Sequence, residues 1–582
     1  MRKLQGLTLV LMICLLAALP QASRTAVNPA QTKSYRAPGE IIVKLKEPAL
    51  DLAAGNYDEQ LMLVARSVGE AGRGVQLSAV ESLAPPTTNR AVSEIISRRG
   101  LDRTFVLKYA PDTDIDSLIA SLSANEQVEY AEPNYRIKPA SFIPDDPDFE
   151  QQWGLRNLGE GVDNNASTLD ADIKALQAWE ITTGSPDVIV AVSDSGVDIT
   201  HPDLAPNVYT NPGEIPDNKI DDDRNGYIDD VHGYNVADQN GDTSDVTGHG
   251  TQMAGIIAAR LNNTVGISGV CQSKILPAKF WKRTGPLPED FDATVADAAR
   301  SLLYSIAAGA SVINASWRTL LPAGEVPDEE VQALKDAVSA TNDAGVLLVC
   351  IAGNEGFNND FSKVYPGAYQ LPNEIVVAAS DYNDTLWHPT LDPFTIKTGF
   401  GVRTVALTAP GVSVLTTFAR GNCIDCKSSD DPASWYGRID GTSASAAFVS
   451  GVAALVKTMH PTDHVIIIKR RILEGVERRD NLAPVVMTGG RLNALGALTS
   501  EPVTVPPALT SVIYTGKKLF FEGSNMKTGA LAIVGGTSYP TTAKGARLLA
   551  KIPKKVFPVG TPVQVKLLNP DGGLSQTFTI TR

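Results

Sequence analysis

Three short segments of this chain each carry one member of a nucleophilic acyl-transfer set. VIVAVSDSGVDITHPDL holds Asp194, TGHGTQMAGIIAA holds His249, and DGTSASAAFVSGVAALV holds Ser443. An imidazole can take the proton of a hydroxyl as that hydroxyl attacks a carbonyl, and a carboxylate can fix the imidazole tautomer and stabilise its cation. Of the six histidines, only His249 opens a run of small residues; His201 lies in the HPDL turn, and His388, His460 and His464 stand in polar or helix-end settings.

The elements that must position these groups are legible around them. Residues 188–192 form a continuous apolar, β-branched run after Gly184-Ser185-Pro186, the pattern of a strand buried on both faces, so Asp194 falls just past its carboxyl end. Open parallel sheets bind ligands at that edge; a strand-ending Asp that caps a turn with Ser195-Gly196 is the alternative. His249 leads Ala254, Gly255, Ala258 and Ala259, small residues that let a helix approach its neighbours and hold a base rigidly at its first turn. After Ser443, residues Phe448, Val452, Leu455, Val456 and Met459 recur at helical spacing until His460-Pro461. Ser443 therefore sits at a helix N-terminus, where its unpaired N–H can stabilise a developing oxyanion. Further strands at 312–315, 346–351 and 375–379 alternate with helical stretches at 291–308 and 329–342, which predicts an α/β domain with a parallel central sheet.

The chain order Asp, His, Ser is the one that subtilisin uses among the unrelated folds sharing this chemistry. Over residues 141–500 the chain resembles the subtilisin-like serine proteases, the subtilases: Asp194-Ser195-Gly196, His249-Gly250-Thr251 and Gly441-Thr442-Ser443 match the motifs that carry the family's triad, and Ala352-Gly353-Asn354 matches its A-G-N segment. The resemblance implies a three-layer subtilisin-like α/β fold and a serine endopeptidase that cleaves protein or peptide substrates through an acyl-enzyme. Asp194, His249 and Ser443 would form the triad and Asn354 would donate to the oxyanion. Departures from the family pattern fall on substrate contacts: Trp317-Arg318 stands where the family has a Gly in its cleft wall, Gln252 replaces a common His, and Ala444-Ser445-Ala446-Ala447 follows the nucleophile. Arg318 would obstruct the cleft or favour acidic substrate side chains.

A chain of 582 residues exceeds a single core. Met1-Arg2-Lys3, an apolar run at 7–19, and Ala22 and Ala26 read as a signal peptide over 1–26, hence a product secreted to the periplasm or the medium, with no membrane span in the mature form. Residues 27–140 carry alternating strands at 40–46 and 104–110, a short helix at 115–122 and a closing segment at 128–136, a small α+β block. It resembles the subtilase prodomain, which implies an intramolecular inhibitor and self-cleavage between Asn134 and Asp148. After the Pro-rich linker 501–507, the tail 501–582 alternates short strands with turn signals, predicting an all-β sandwich. Gly523-Ser524-Asn525-Met526 and Asn569-Pro570-Asp571-Gly572-Gly573 resemble segments of immunoglobulin-like IPT/TIG modules. The net charge of −14 argues against a nucleic-acid partner. Cys423 and Cys426, in the polar insert GNCIDCKSSDDP, close a loop as a disulfide, form a metal knuckle or stay free; Cys271 and Cys350 read as small buried hydrophobes.

Two acidic loops suit structural calcium. Asp221, Asp223, Asn225, the Tyr227 carbonyl and Asp229 follow the spacing of an EF-hand loop, with Asp230 adjoining and His232 where a bidentate Glu belongs. Resemblance to the thermitase branch of the subtilases implies a second site at Asp146, Asp203 and Asn263, with carbonyls near Arg260, Val265 and Ile267. A rival reading of the whole chain is a catalytically weak surface adhesion or binding protein that keeps its prodomain. An esterase or lipase would need a G-x-S-x-G elbow, which is missing.

Overall fold

The computed structural model describes residues 36–46, 77–84, 87–111, 113–135, 142–287, 289–319, 331–387, 397–421, 423–426 and 431–582. The expected signal segment, the central part of the expected cleavage region and His388 lie outside these residues. The chain divides into two compact units, Met1–Ala140 and Ser141–Arg582.

In the first unit, strands β1 (Arg36–Leu45), β2 (Ala79–Ser82), β3 (Thr104–Lys108) and β4 (Val128–Tyr135) form an antiparallel sheet in the order β2-β3-β1-β4. Alternation along β1 and β3 turns Ile41, Val43, Phe105 and Leu107 onto one buried face with Leu118 and Leu122 of a helix. Helix α1 (Arg90–Arg99) was not among the expected elements, although Val92, Ile95 and Ile96 recur at helical spacing; it buries no side chain, and the Asn89 side chain caps its start and left-handed Gly100 its end. Helix α2 (Ile115–Ser123) supplies Leu118 and Leu122.

The second unit is built on a nine-stranded sheet. Its strands are β5 (Ile189–Asp194), β6 (Tyr234–Asn235), β7 (Lys274–Lys279), β10 (Val312–Ala315), β11 (Leu347–Ile351), β12 (Glu374–Ser380), β13 (Leu407–Pro410), β16 (Glu477–Arg478) and β17 (Gly490–Arg491), in the order β16-β17-β13-β12-β11-β10-β5-β7-β6. They run parallel except where β16 pairs antiparallel with β17. Both faces are buried: Val190, Val192, Val349 and Val377 join one core with helices α3 (Ala175–Trp179), α4 (His249–Ala258), α7 (Thr442–Met459) and α8 (Val465–Glu474), while Ala191, Ile313, Leu348 and Val376 join another with α5 (Val295–Ala307) and α6 (Gln332–Asp343). This two-sided burial is why the strands read as unbroken apolar runs. Helix α5 starts later than its sequence suggested: Phe291–Asp292 (β9) pairs with Lys282–Arg283 (β8), and Thr294 and Asp297 then form a reciprocal capping box; β14 (Val414–Thr417) and β15 (Tyr436–Ile439) form a further antiparallel pair.

Helix α7 alone among the described helices is long and apolar enough to cross a membrane, although no run past the signal was expected to reach that length. Its apolarity has another cause, since 78% of its length is buried in the core. Beyond helix α9 (Ala494–Thr499), seven antiparallel strands, β18 (Ala508–Tyr514), β19 (Lys518–Ser524), β20 (Leu531–Val534), β21 (Thr537–Lys544), β22 (Arg547–Lys551), β23 (Pro562–Leu568) and β24 (Phe578–Thr581), run in the connected order β18-β19-β22-β21-β20-β23-β24. The strands fall into two groups, β18-β19-β22 and β20-β23-β24, joined through β21, which pairs to β20 through its first half and to β22 through its second, and both groups contribute to a core of Leu519, Phe521, Ala532, Val565 and Leu567. This domain is fastened to the α/β part of the unit: Leu531 and Leu568 enter the core cluster of α7 and α8, and Arg470 of α8 donates to the carbonyls of Val503 and Asp571.

Candidate active site

Asp194 is the last residue of β5, one position earlier in the edge than the apolar run implied, and its side chain is buried. Its carboxylate accepts the Ser195 N–H (2.7 Å) and faces His249 Nδ1 at 2.9 Å through both oxygens. His249 opens α4, and the motif residues around it explain themselves. The Ser195 hydroxyl donates to Asp245 (2.7 Å) and accepts the Gly250 N–H (3.1 Å), tying strand edge to helix start. A Cβ at Gly250 would lie 2.0 Å from the Gly196 carbonyl oxygen, so only glycine lets the two segments close.

Asp245 is a residue the sequence did not single out. Its carboxylate accepts the N–H groups of Thr247 (3.1 Å), Gly248 (2.8 Å) and Thr251 (2.8 Å) and the Thr251 hydroxyl (2.6 Å). It thereby satisfies donors at the start of α4 that would otherwise be orphaned, and complements the positive end of that helix. The available signal was an Asp just ahead of a helix start, in SDVTGHGT. Burial disfavours the His249 imidazolium, but the charge and hydrogen bond of Asp194, followed by the charges of Asp245 and Asp425, outweigh it and hold the imidazole pKa above its ordinary value.

Ser443 lies in the first turn of α7. A buried relay anchors that turn: Ser450 donates to Asn314 Oδ1 (2.9 Å), Asn314 to the Ser316 hydroxyl (2.9 Å), and Ser316 to the Ser443 carbonyl (3.1 Å). The Ser443 hydroxyl itself donates to the Ser316 carbonyl at 3.4 Å, and among the described residues no hydrogen bond joins it to His249. Asn354 follows β11, and its Oδ1 accepts the N–H (3.0 Å) and hydroxyl (2.7 Å) of Thr442, which leaves its Nδ2 hydrogens as the group to be donated. Arg318 pairs with Glu355, the neighbour of Asn354, at 2.6 and 2.9 Å, so the charge that would have favoured acidic substrate side chains is already taken up.

The structure gathers Asp146, Asp203 and Asn263. Asp146 accepts the N–H groups of Asn262 (3.1 Å) and Asn263 (3.0 Å) and the Ser268 hydroxyl (2.6 Å), while Asp203 accepts Asn263 Nδ2 and the Ile267 N–H, each at 2.9 Å. Both carboxylates are buried, and among the described residues neither pairs with a Lys or Arg. Burial, with the Asp146 charge adding to it, raises the Asp203 carboxyl to about 7 despite hydrogen bonds that favour its charged form. Two buried carboxylates without a counter-charge are costly, and an all-oxygen donor set is what calcium takes, so these residues fit that ion.

The other acidic loop differs from its expected pattern. Asp221 and Asp223 lie together with Glu214, their ligand atoms within 4.8 Å of one another. Glu214, buried and outside the motif, takes a place that the spacing had given to Asp229. The Asp229 carboxylate instead accepts the N–H groups of Asn218 (3.2 Å) and Lys219 (3.0 Å). Asn225 turns its Oδ1 to the Tyr227 N–H (2.8 Å), and Asp230 is buried under Asn211, Asn225 and the Tyr304 hydroxyl. EF-hand spacing assumes flanking helices that bend the loop around an ion, and no described helix flanks 221–230. Cys423 and Cys426 form a disulfide, while Cys271 and Cys350 are free and buried.

The Subtilase family profile matches residues 185–487. The chain is 28% identical over 475 residues to the thermophilic serine proteinase of Bacillus sp. (strain AK1), spanning 81% of this chain and 90% of that protein. It is 27% identical over 439 residues to an extracellular protease of Xanthomonas campestris pv. campestris, spanning 73% of this chain and 66% of that one. Among solved structures, a protease from Pseudoalteromonas arctica PAMC 21717 aligns with 61% of this chain and 99% of its own at 23% identity and a TM-score of 0.45.

Proposed function

The chain belongs to the subtilase family of serine peptidases, and from that premise we propose that it is a secreted, calcium-stabilised endopeptidase made as a self-processing zymogen. His249, oriented by Asp194, removes the proton of Ser443 once a rotation about χ1 brings the hydroxyl from the Ser316 carbonyl to Nε2; such catalytic hydrogen bonds often tighten only with substrate bound. Ser443 Oγ then attacks the scissile carbonyl, and the Ser443 N–H and Asn354 Nδ2 stabilise the oxyanion. His249 passes the proton to the leaving amine, and a water, deprotonated by the same imidazole, releases the acyl group. The observation that carries this reading is the 2.9 Å contact between Asp194 and His249 at the carboxyl edge of a parallel sheet that also ends near Ser443 and Asn354.

Asp146, Asp203 and Asn263 would hold a calcium ion that would supply the positive charge those carboxylates lack, and Glu214, Asp221 and Asp223 would hold a second. Residues 27–140 act as the intramolecular inhibitor, and 501–582 as an IPT/TIG-like immunoglobulin-fold domain. The name of the Xanthomonas relative supports export. Ser443→Ala is expected to abolish hydrolysis of casein and labelling by a fluorophosphonate. It should also leave the N-terminal unit attached, where the wild type starts between Asn134 and Asp148. Retention of labelling by Ser443→Ala overturns the assignment.

A further inference from the structure

The disulfide-closed turn Cys423–Cys426 lies against the start of helix α4. The Asp425 N–H donates to the Thr247 carbonyl at 2.9 Å, and Cys426 N–H closes the turn on the Cys423 carbonyl at 3.2 Å. Gly248 sits in the left-handed region, φ +95°, and a Cβ there would lie 3.0 Å from both the carbonyl carbon and the Cβ of Asp425. The Thr247–Gly248 turn is thus gripped from two sides, by the Asp245 carboxylate through its N–H groups and by the Asp425 amide through its carbonyl. Cys423 is buried and fixes one end of the loop, whereas Ile424 and Asp425 are exposed. Among the described residues the Asp425 side chain makes no ion pair or hydrogen bond, so its charge is not neutralised locally.

We propose that the Cys423–Cys426 loop is a positioning element for the base, bracing the turn that precedes His249 and setting the charge of Asp425 beside the imidazole. This rests on the reading of His249 as that base. The charges that act on His249 are those of Asp194 from β5, Asp245 from the turn before α4 and Asp425 from the loop, and two cations lie on the same side: buried Lys279 of β7, in register with Asp194 and attracted by Asp245, and Arg283, its guanidinium on the Val246 carbonyl at 3.4 Å. A negative charge at Asp425 favours the imidazolium, so removing it extends the active, neutral form of His249 to lower pH. Opening the disulfide frees one side of the Thr247–Gly248 turn, and small misplacements of a catalytic group are costly in rate.

The test measures kcat/KM against pH on a chromogenic peptide with the processed full-length enzyme. For Asp425→Asn the acid limb should move to lower pH with the plateau within about threefold of wild type, the displacement should shrink at about 1 M salt, and Asp425→Glu should restore the original profile. The double variant Cys423→Ser/Cys426→Ser should lose about ten- to a hundredfold on the plateau. Reductant should bring the wild type to that level while leaving the double variant, which keeps Cys271 and Cys350, unchanged. An Asp425→Asn profile that superimposes on wild type overturns the proposal, provided Ser443→Ala is inactive; activity in Ser443→Ala would instead overturn the assignment of the base.

Discussion

Two carboxylates on the same sheet are equally buried, at 3% exposure each, and do opposite things. Asp194 ends β5 at the carboxyl edge, and Glu374 begins β12 at the amino edge. Asp194 meets one N–H and an imidazole, whereas Glu374 accepts a single N–H, from Leu371, and leaves Oε1 with no partner. Burial raises the Glu374 carboxyl to about 8, against the attraction of Lys469. Burial alone therefore marks neither residue as functional. What separates them is the edge they occupy: helix N-termini and strand ends converge at one, and at the other a carboxyl is buried with one N–H partner and the charge of Lys469.

The sharpest way to break this contrast is to remove charge at both edges. Asp194→Asn keeps the shape and accepts the Ser195 N–H, but presents an amide to His249 and favours the wrong tautomer. Turnover should fall by about 10⁴ with folding intact. The matching change, Glu374→Gln, should leave kcat/KM unaltered. A comparable loss of turnover in Glu374→Gln would remove the distinction between the edges. Next in size, Asn354→Ala should reduce kcat by about 10² to 10³ with little change in KM, since its Nδ2 acts on charge that exists only in the transition state.

Asp203 stands between the two cases, fully hydrogen-bonded yet beside a second buried acid. If a cation completes that site, chelation should lower the melting temperature, and Asp203→Asn should lower it and blunt the response to added calcium. Glu214→Gln should blunt only the part of the response due to the exposed loop, and Asp229→Asn should not alter it. A melting curve indifferent to EDTA counts against both loops as calcium sites.

The same contrast explains what could be read from residue order. Asp194, His249 and Ser443 announce themselves because each sits at a junction that local pattern marks: the end of an apolar run, the start of a small-residue helix, the start of a long apolar one. Asp146, Asp203 and Asn263 were reachable only through resemblance, since the first two lie 57 positions apart in the chain. Asp245 left only the faint signal of an acid ahead of a helix start, and Glu214 none, because each accepts backbone N–H groups that the fold delivers. Helix α1 does carry Val92, Ile95 and Ile96 at helical spacing, but it buries none of them, so its apolar stripe was passed over among the strands of the first unit. In the C-terminal domain the strands were legible, but not the pairing of one strand with two neighbours in succession, since β21 changes partner midway along an otherwise regular alternation.

The smallest expected effect tests the amino edge directly. Glu374 binds its proton more tightly folded, with a pKa of about 8, than unfolded, where a Glu titrates near ~4.3. Between those values the native state holds more protons than the unfolded one, so the group's contribution to stability is full at low pH and is lost as pH rises through the folded pKa. The slope from this one group is at most about 1.4 kcal/mol per pH unit. Denaturation midpoints from pH 5 to 9, taken in the Ser443→Ala background to prevent autolysis, should fall more steeply with pH for the parent than for Glu374→Gln, whose amide oxygen can still accept the Leu371 N–H. Lys469→Met, which removes the nearby positive charge, should deepen the fall. Parallel profiles for the parent and Glu374→Gln would mean that burial does not raise the Glu374 carboxyl, and that the two edges differ in chemistry without differing in electrostatic cost.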